Sequence, residues 1–137
     1  MRRRVVLIAV LALSGCGGSG ERENGLRPAV PVTLTGAIHS DGLQISPSSV
    51  GAGTIVLLVS NQSGKPQKVT FETDEVGGRT AGRQASSPVI APRATGRLTI
   101  EARQGTYSVH VTDKSVRAAR VFVGPPRKSA QDRLLLP

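Results

Sequence analysis

Few side chains in this sequence could start any chemistry. It holds one cysteine, Cys16, two histidines, His39 and His110, and nine acidic residues against 18 basic ones. Thiols, imidazoles and carboxylates are the usual materials of nucleophilic, acid–base and metal chemistry. Their spacing offers little of it. No G-x-S-x-G elbow and no H-E-x-x-H pair occurs, and those are the patterns that would place a nucleophile or a zinc ion. The adjacent acids Asp74 and Glu75 stand in a Gly-rich segment, without the rigid support an active site needs. A strong metal site takes three or more ligands. His39, beside Asp41 and Gly42, and His110 are therefore weak metal candidates, and both read as ordinary surface residues. Gly15, Gly17 and Gly20 match G-x-G-x-x-G, but no strand precedes them and no helix follows, so the pattern carries no nucleotide. The expectation is a protein that is not an enzyme.

The surroundings of Cys16 explain the lone thiol better. Arg2, Arg3 and Arg4 precede nine apolar residues, Val5 to Leu13. That run is too short to cross a bilayer of roughly 30 Å as a helix, and it fits the apolar region of a secretory signal. Leu13-Ser14-Gly15-Cys16 then resembles the lipobox of bacterial lipoproteins. The resemblance implies cleavage between Gly15 and Cys16 and a diacylglycerol on the Cys16 sulfur, with an N-acyl chain as a further addition. Each buried CH₂ contributes about 0.8 kcal/mol, so two or three chains anchor stably where one does not. The implied location is the extracytoplasmic face of the cell membrane. Arg2-Arg3 hints at twin-arginine export, and nothing else of that motif is present.

Removing residues 1–15 leaves 122 of 137, one domain with its ends,. The signal takes three basic residues and no acid with it, leaving a charge of +6. Such a surface is attracted to anionic lipid by about 1 kcal/mol for each well-placed Lys or Arg. Export argues against nucleic acid as the partner, and only Phe71, Tyr107 and Phe122 could stack on bases. With Cys16 acylated no disulfide can form, so the fold must rest on apolar packing, supplied here mainly by Val, Leu and Ile.

Residues 16–31 read as the lipidated cysteine and a flexible tether, rich in Gly, Ser and charge, that would reach roughly 20 Å on average. From Val32 the pattern becomes short alternating strands. Val32 to Thr35 alternates, with room to run on to Ile38 or His39, and the Asp41-Gly42 turn follows, then Leu43 and Ile45 before Pro47. Thr54 to Ser60 is apolar on both faces and is the best central strand. Lys68 to Glu72 and the short Val89-Ile90 follow, then Arg97 to Glu101, Thr106 to Thr112 and Arg120 to Val123. The segment 74–87 reads as a long surface loop, and 124–137 as a C-terminal tail. No helical periodicity extends over eleven residues. About seven strands at this spacing predict an all-β, antiparallel Greek-key sandwich over residues 32–123.

The order of parts resembles the cupredoxin-like fold: Ile45-x-Pro47, Gly51-Ala52-Gly53, an apolar strand ending in Asn61, a turn with Pro66, then Gly105-Thr106-Tyr107. That family's type-one copper proteins take a histidine soon after the Asn-ended strand, then a cysteine, a histidine and often a methionine near the C-terminus. Here the first place holds Gln67 or Lys68, the cysteine place holds Val111, and the loop from Asp113 to Val116 has neither His nor Met. A blue centre needs thiolate with two imidazoles, so the resemblance implies a relative without copper. Tyr107, on the inward face after a turn glycine, is expected to be a core ring with its hydroxyl bonded to backbone.

The functional expectation is a non-enzymatic binding or accessory module, anchored to the membrane and meeting an unidentified envelope protein. Loops on a rigid sandwich usually carry binding, so the 74–87 loop with Arg79, Arg83 and Arg93, in series with Arg97, is the candidate contact surface. The alternative is a metal-handling or redox accessory protein with weak copper affinity through His39, His110 or the N-terminal region.

Overall fold

The computed structural model describes residues 28–74 and 82–129. Gly15, Cys16, Arg79, the signal, most of the tether and the last residues of the tail lie outside the described residues. Eight strands follow one another: β1 (Val32–Ile38), β2 (Leu43–Ser46), β3 (Ser49–Asn61), β4 (Val69–Thr73), β5 (Gln84–Ser86), β6 (Thr95–Ala102), β7 (Gly105–Val111) and β8 (Ala119–Pro126). There is no helix among the described residues, and so none long and apolar enough to cross a membrane.

The strands form a sheet folded over on itself. Its path is β2-β1-β3-β8-β7-β4-β5, with β6 on the other flank of β3. From Gly53 to Asn61, β3 lies between β1 and β6; from Ser49 to Ala52 it pairs instead with β8. One strand thus serves both layers of the sandwich. The alternation read from sequence holds where one face is wet. In β6, Leu98, Ile100 and Ala102 are buried while Arg97, Thr99 and Glu101 are exposed; Tyr107, Val109 and Val111 of β7 and Val121 and Val123 of β8 also point inward. Side chains of this size contribute about 1.5–3 kcal/mol each when fully buried. The Tyr107 ring packs 5.3 Å from Phe71, and its hydroxyl accepts from Arg103 N and donates to Arg103 O, as expected.

Four expectations are corrected. The sandwich is not purely antiparallel: β1 runs parallel to β3, and β3 parallel to β8. Period-two alternation says which face a residue takes and nothing of strand direction. Gln84–Ser86 is a strand within the segment read as loop, an edge strand whose one half-buried Ala85 leaves no apolar signal. Val89-Ile90 is not a strand; Ile90 makes a single bridge to Gln67, because Pro88 and Pro92 supply no N–H to extend a ladder. Finally, β8 continues to Pro126, past the boundary drawn at Val123.

The tail also contributes a residue that strand patterning does not reveal. Arg127 lies across the bend of β3. Its Nε donates to Gly51 O (3.1 Å) and Ala52 O (3.3 Å), its Nη2 to Thr54 O (2.9 Å) and its Nη1 to Val30 O. Two glycines make room for it. A Cβ on Gly51 would stand 2.5 Å from Arg127 Cγ, and Gly53 has φ +127°, a conformation natural to glycine,. Hydrogen bonds from a charged donor contribute about 1.5–3 kcal/mol. Arg127→Ala should lower stability by about 2 kcal/mol and the melting temperature by about 10 °C for a domain of this size, as measured by thermal unfolding.

Candidate functional site

Four loops gather at the end of the sandwich where β1 and β3 finish: residues 39–42, 62–68, 87–94 and 112–118. Two buried amides join the last three, and Arg117 N, donating to Asp41 O, ties in the first. Asn61, fully buried at the end of β3, donates through Nδ2 to Lys65 O (2.8 Å) and Ile90 O (2.9 Å) and accepts at Oδ1 from Ser63 N and Ser63 Oγ. Its backbone binds the third loop as well, donating to Ala94 O and accepting from Arg93 N. Gln67, 2% exposed, exchanges two backbone hydrogen bonds with Ile90, and its side-chain oxygen accepts from Asp113 N at 3.1 Å. Val111 lies 5% exposed opposite Val69, and Lys68 N donates to Thr112 Oγ1.

Asp113 closes the arrangement. Its carboxylate accepts from Ser115 Oγ and N and lies 3.3 Å from Lys65 Nζ. The Ser115 hydrogen bonds, aided by Lys65, lower its pKa from 3.8 to about 2.

The histidines are placed apart. His39 follows β1 at the loop-bearing end, its N–H on Gly42 O, and no side-chain partner joins it to Asp41. His110 stands on the outer face of β7, half-exposed as expected, and its Nε2 lies 3.0 Å from Glu72 Oε1; Gln84 Nε2 donates to the other oxygen of that carboxylate. Among the described residues no group of three or more His, Cys, Asp or Glu could hold a metal ion.

Arg83 and Arg93 do not share a patch. Arg93 sits in the turn before β6, and Arg83 lines an open groove of about 440 Å³ with Gln84, Thr99, Glu101 and Arg103 at the far end of that strand. Sequence reasoning missed Gln67 as a crosslink and Arg127 as a brace. A polar residue flanked by Pro66 and Lys68 gives no sign of burial, and Arg127 follows two prolines in an apparent tail.

Auracyanin A, a blue copper protein from the green thermophilic photosynthetic bacterium Chloroflexus aurantiacus, superposes with a TM-score of 0.51 at 18% identity, covering 69% of this chain and 100% of its own. The fold is cupredoxin-like. Auracyanin from Roseiflexus castenholzii aligns with a TM-score of 0.48 at 14% identity over 72% of this chain and 100% of its own. The copper-containing nitrite reductase of Thermus scotoductus aligns with a TM-score of 0.40 at 13% identity over 79% of this chain and 30% of its own. No family profile and no curated protein matches the chain.

In this cupredoxin-like domain the places that the resemblance assigns to copper ligands hold an amide, an exposed ammonium and an isopropyl group. An amide oxygen already bonded to Asp113 N and an aliphatic side chain do not suit a metal that selects thiolate and imidazole. The residues do not fit a type-one centre. Hydrogen bonds now join the loops in this region.

Asn61→Ala would take one of two donors from each of the Lys65 and Ile90 carbonyls and remove the Oδ1 that accepts from Ser63 N and Oγ, at a cost of about 2–3 kcal/mol. Denaturant unfolding should show that loss, and amide exchange should quicken in residues 62–68 and 88–94 first. Asp113 predicts an acid limb. Its folded pKa lies below 3.8, so its stabilising contribution is complete above about pH 4 and is lost as pH falls toward 2,. Asp113→Asn should flatten the stability–pH curve over that interval and leave the neutral range sloped as before.

Proposed function

We propose that this chain is a lipoprotein of the bacterial cell envelope, held at the extracytoplasmic membrane face through acylated Cys16. Its cupredoxin-like domain acts there as a non-enzymatic binding or accessory module with no copper centre. The observation that carries this reading is the occupancy of two ligand places: Gln67 is buried and bonded to Asp113 N, and Val111 is packed into the core. The lipobox at Leu13-Ser14-Gly15-Cys16 supports the anchor. The partner on this reading is another envelope protein. The Arg83-lined groove, beside the segment expected to make contact, is one surface available to it.

A second reading has one observation in its favour. His110 and Glu72, 3.0 Å apart and half-exposed, are two donors that could share a divalent ion, which would suit a metal-handling accessory protein with weak affinity. The full chain purified from membranes decides between them. Mass spectrometry should find the chain beginning at Cys16 with acyl chains attached, and Cys16→Ser should remove the protein from the membrane fraction. Copper titration should leave it colourless and bind no more tightly than a two-donor surface site. A blue product, or submicromolar copper binding abolished by His110→Ala, would overturn the first reading.

A further inference from the structure

Three strands, β2, β5 and β6, stand at the margins of the sheet. β2 leans on the loop before β8, where Leu43 N donates to Arg117 O and Gly42 bridges to Arg117. β5 is only three residues long. β6 differs from both: it runs for eight residues, with β3 along one side and no strand along the other. Register decides which of its backbone groups are free. Ser60 stands opposite Thr95, and Asn61 N donates to Ala94 O. Hydrogen-bonded pairs alternate along an antiparallel ladder, so Gly96, Leu98, Ile100 and Ala102 spend their N–H and C=O groups on β3. Thr95, Arg97, Thr99 and Glu101 turn theirs outward, and among the described residues no backbone group meets them there. The Tyr107 hydroxyl takes both backbone groups of Arg103, which ends the free row at Glu101. Thr99 and Glu101 also border the open groove of about 440 Å³, so a further strand has room to approach.

An unpaired row of this kind is a template for another strand. Charges usually blunt such an edge. Here they carry both signs and are spaced evenly about Thr99, with Arg97 before it and Glu101 after it, all three exposed. Thr54 Oγ1 donates to the Glu101 carboxylate and orients it. Two β6 strands laid antiparallel about a twofold axis at Thr99 set Arg97 of each copy against Glu101 of the other, and Thr99 against Thr99. Opposite charges and paired threonines both stabilise neighbouring strands. Sliding the pair by four residues either way sets Arg97 against Arg97 or Glu101 against Glu101, which repels. In the register centred on Thr99, the same three residues hold the outward N–H and C=O groups, so roughly six hydrogen bonds close the ladder. Side-chain charge and backbone direction are set independently, one by residue type and the other by the pairing with β3. Both select the same register.

We infer that β6 is a self-association edge: a second copy of this chain adds its own β6, antiparallel and centred on Thr99, and joins the two sheets into one. Charge complementarity of the edge with itself selects a second copy as the occupant. The inference rests on neither the membrane anchor nor the proposed function.

The test uses the purified full chain carrying Cys16→Ser, so that an introduced cysteine is its only thiol. Hydrogen-bonded antiparallel partners stand about 5.5 Å apart at Cα, within reach of a disulfide. Thr99→Cys should therefore give a disulfide-linked dimer on mild oxidation. Thr33→Cys, exposed on β1, should give far less. Within the Thr99→Cys chain, Arg97→Glu or Glu101→Arg alone should lower the dimer yield about tenfold, and the two together should restore it. A restored yield separates lost charge pairing from lost folding. Hydrogen exchange of the chain with β6 unaltered reads the same edge whether or not a variant folds. The amides of Arg97, Thr99 and Glu101 should exchange more slowly as protein concentration rises, while those of Leu98 and Ile100, already bonded to β3, hold steady. Equal dimer yields from Thr99→Cys and Thr33→Cys would overturn the proposal. So would single reversals without effect, a folded double exchange that restores nothing, or outward amides indifferent to concentration.

Discussion

One strand has to belong to two layers. β3 leaves β8 at Ala52, bends, and enters the other layer between β1 and β6 by Gly53. A bend of that kind turns carbonyls out of both ladders, and backbone acceptors near a core are costly to leave unpaired. The Arg127 guanidinium collects three of them, at Gly51, Ala52 and Thr54, and ties in Val30 as well. A planar group with five donors suits this task, which the three rotating protons of a lysine would perform poorly. Closure of the sandwich and the exit of the N-terminal segment are thereby joined in one residue.

The opposite end faces the same difficulty with other materials. Loops between strands carry backbone groups that have no ladder to join, and here four loops meet. Asn61 and Gln67 serve three of them from within through neutral amides, Asn61 donating and accepting and Gln67 accepting. Amides tolerate burial because they carry no charge, provided that each polar atom finds a partner; no buried side-chain nitrogen or oxygen among the described residues lacks one. A cupredoxin-like framework can thus keep its loops in order by hydrogen bonding, where Gln67 and Val111 occupy the places the resemblance gives to copper ligands.

The two ends are accordingly different in kind. One is tied to the incoming N-terminal segment through Arg127. The other displays basic side chains and a proline-flanked valine on loops held from beneath. The outer face of the second layer, with its Glu72–His110 pair and the exposed Phe122, lies between them.

The class of the fold and the inward set of most strands were legible in the order of residues. Alternation at Leu98 and Ile100, at Tyr107, Val109 and Val111, and at Val121 and Val123 reports burial directly, because side chains on a strand change face at each residue. Composition also limited the chemistry, since two histidines and a single cysteine at position 16 leave little to ligate a metal. Strand direction, the pairing of Gln84–Ser86 at an edge, the separation of Arg83 from Arg93, and the tasks of Gln67 and Arg127 emerged with the folded arrangement alone. Those depend on which backbone groups lie side by side after the chain has folded. A local pattern records the burial of a side chain and carries no record of the distant carbonyl or amide that a polar side chain will meet.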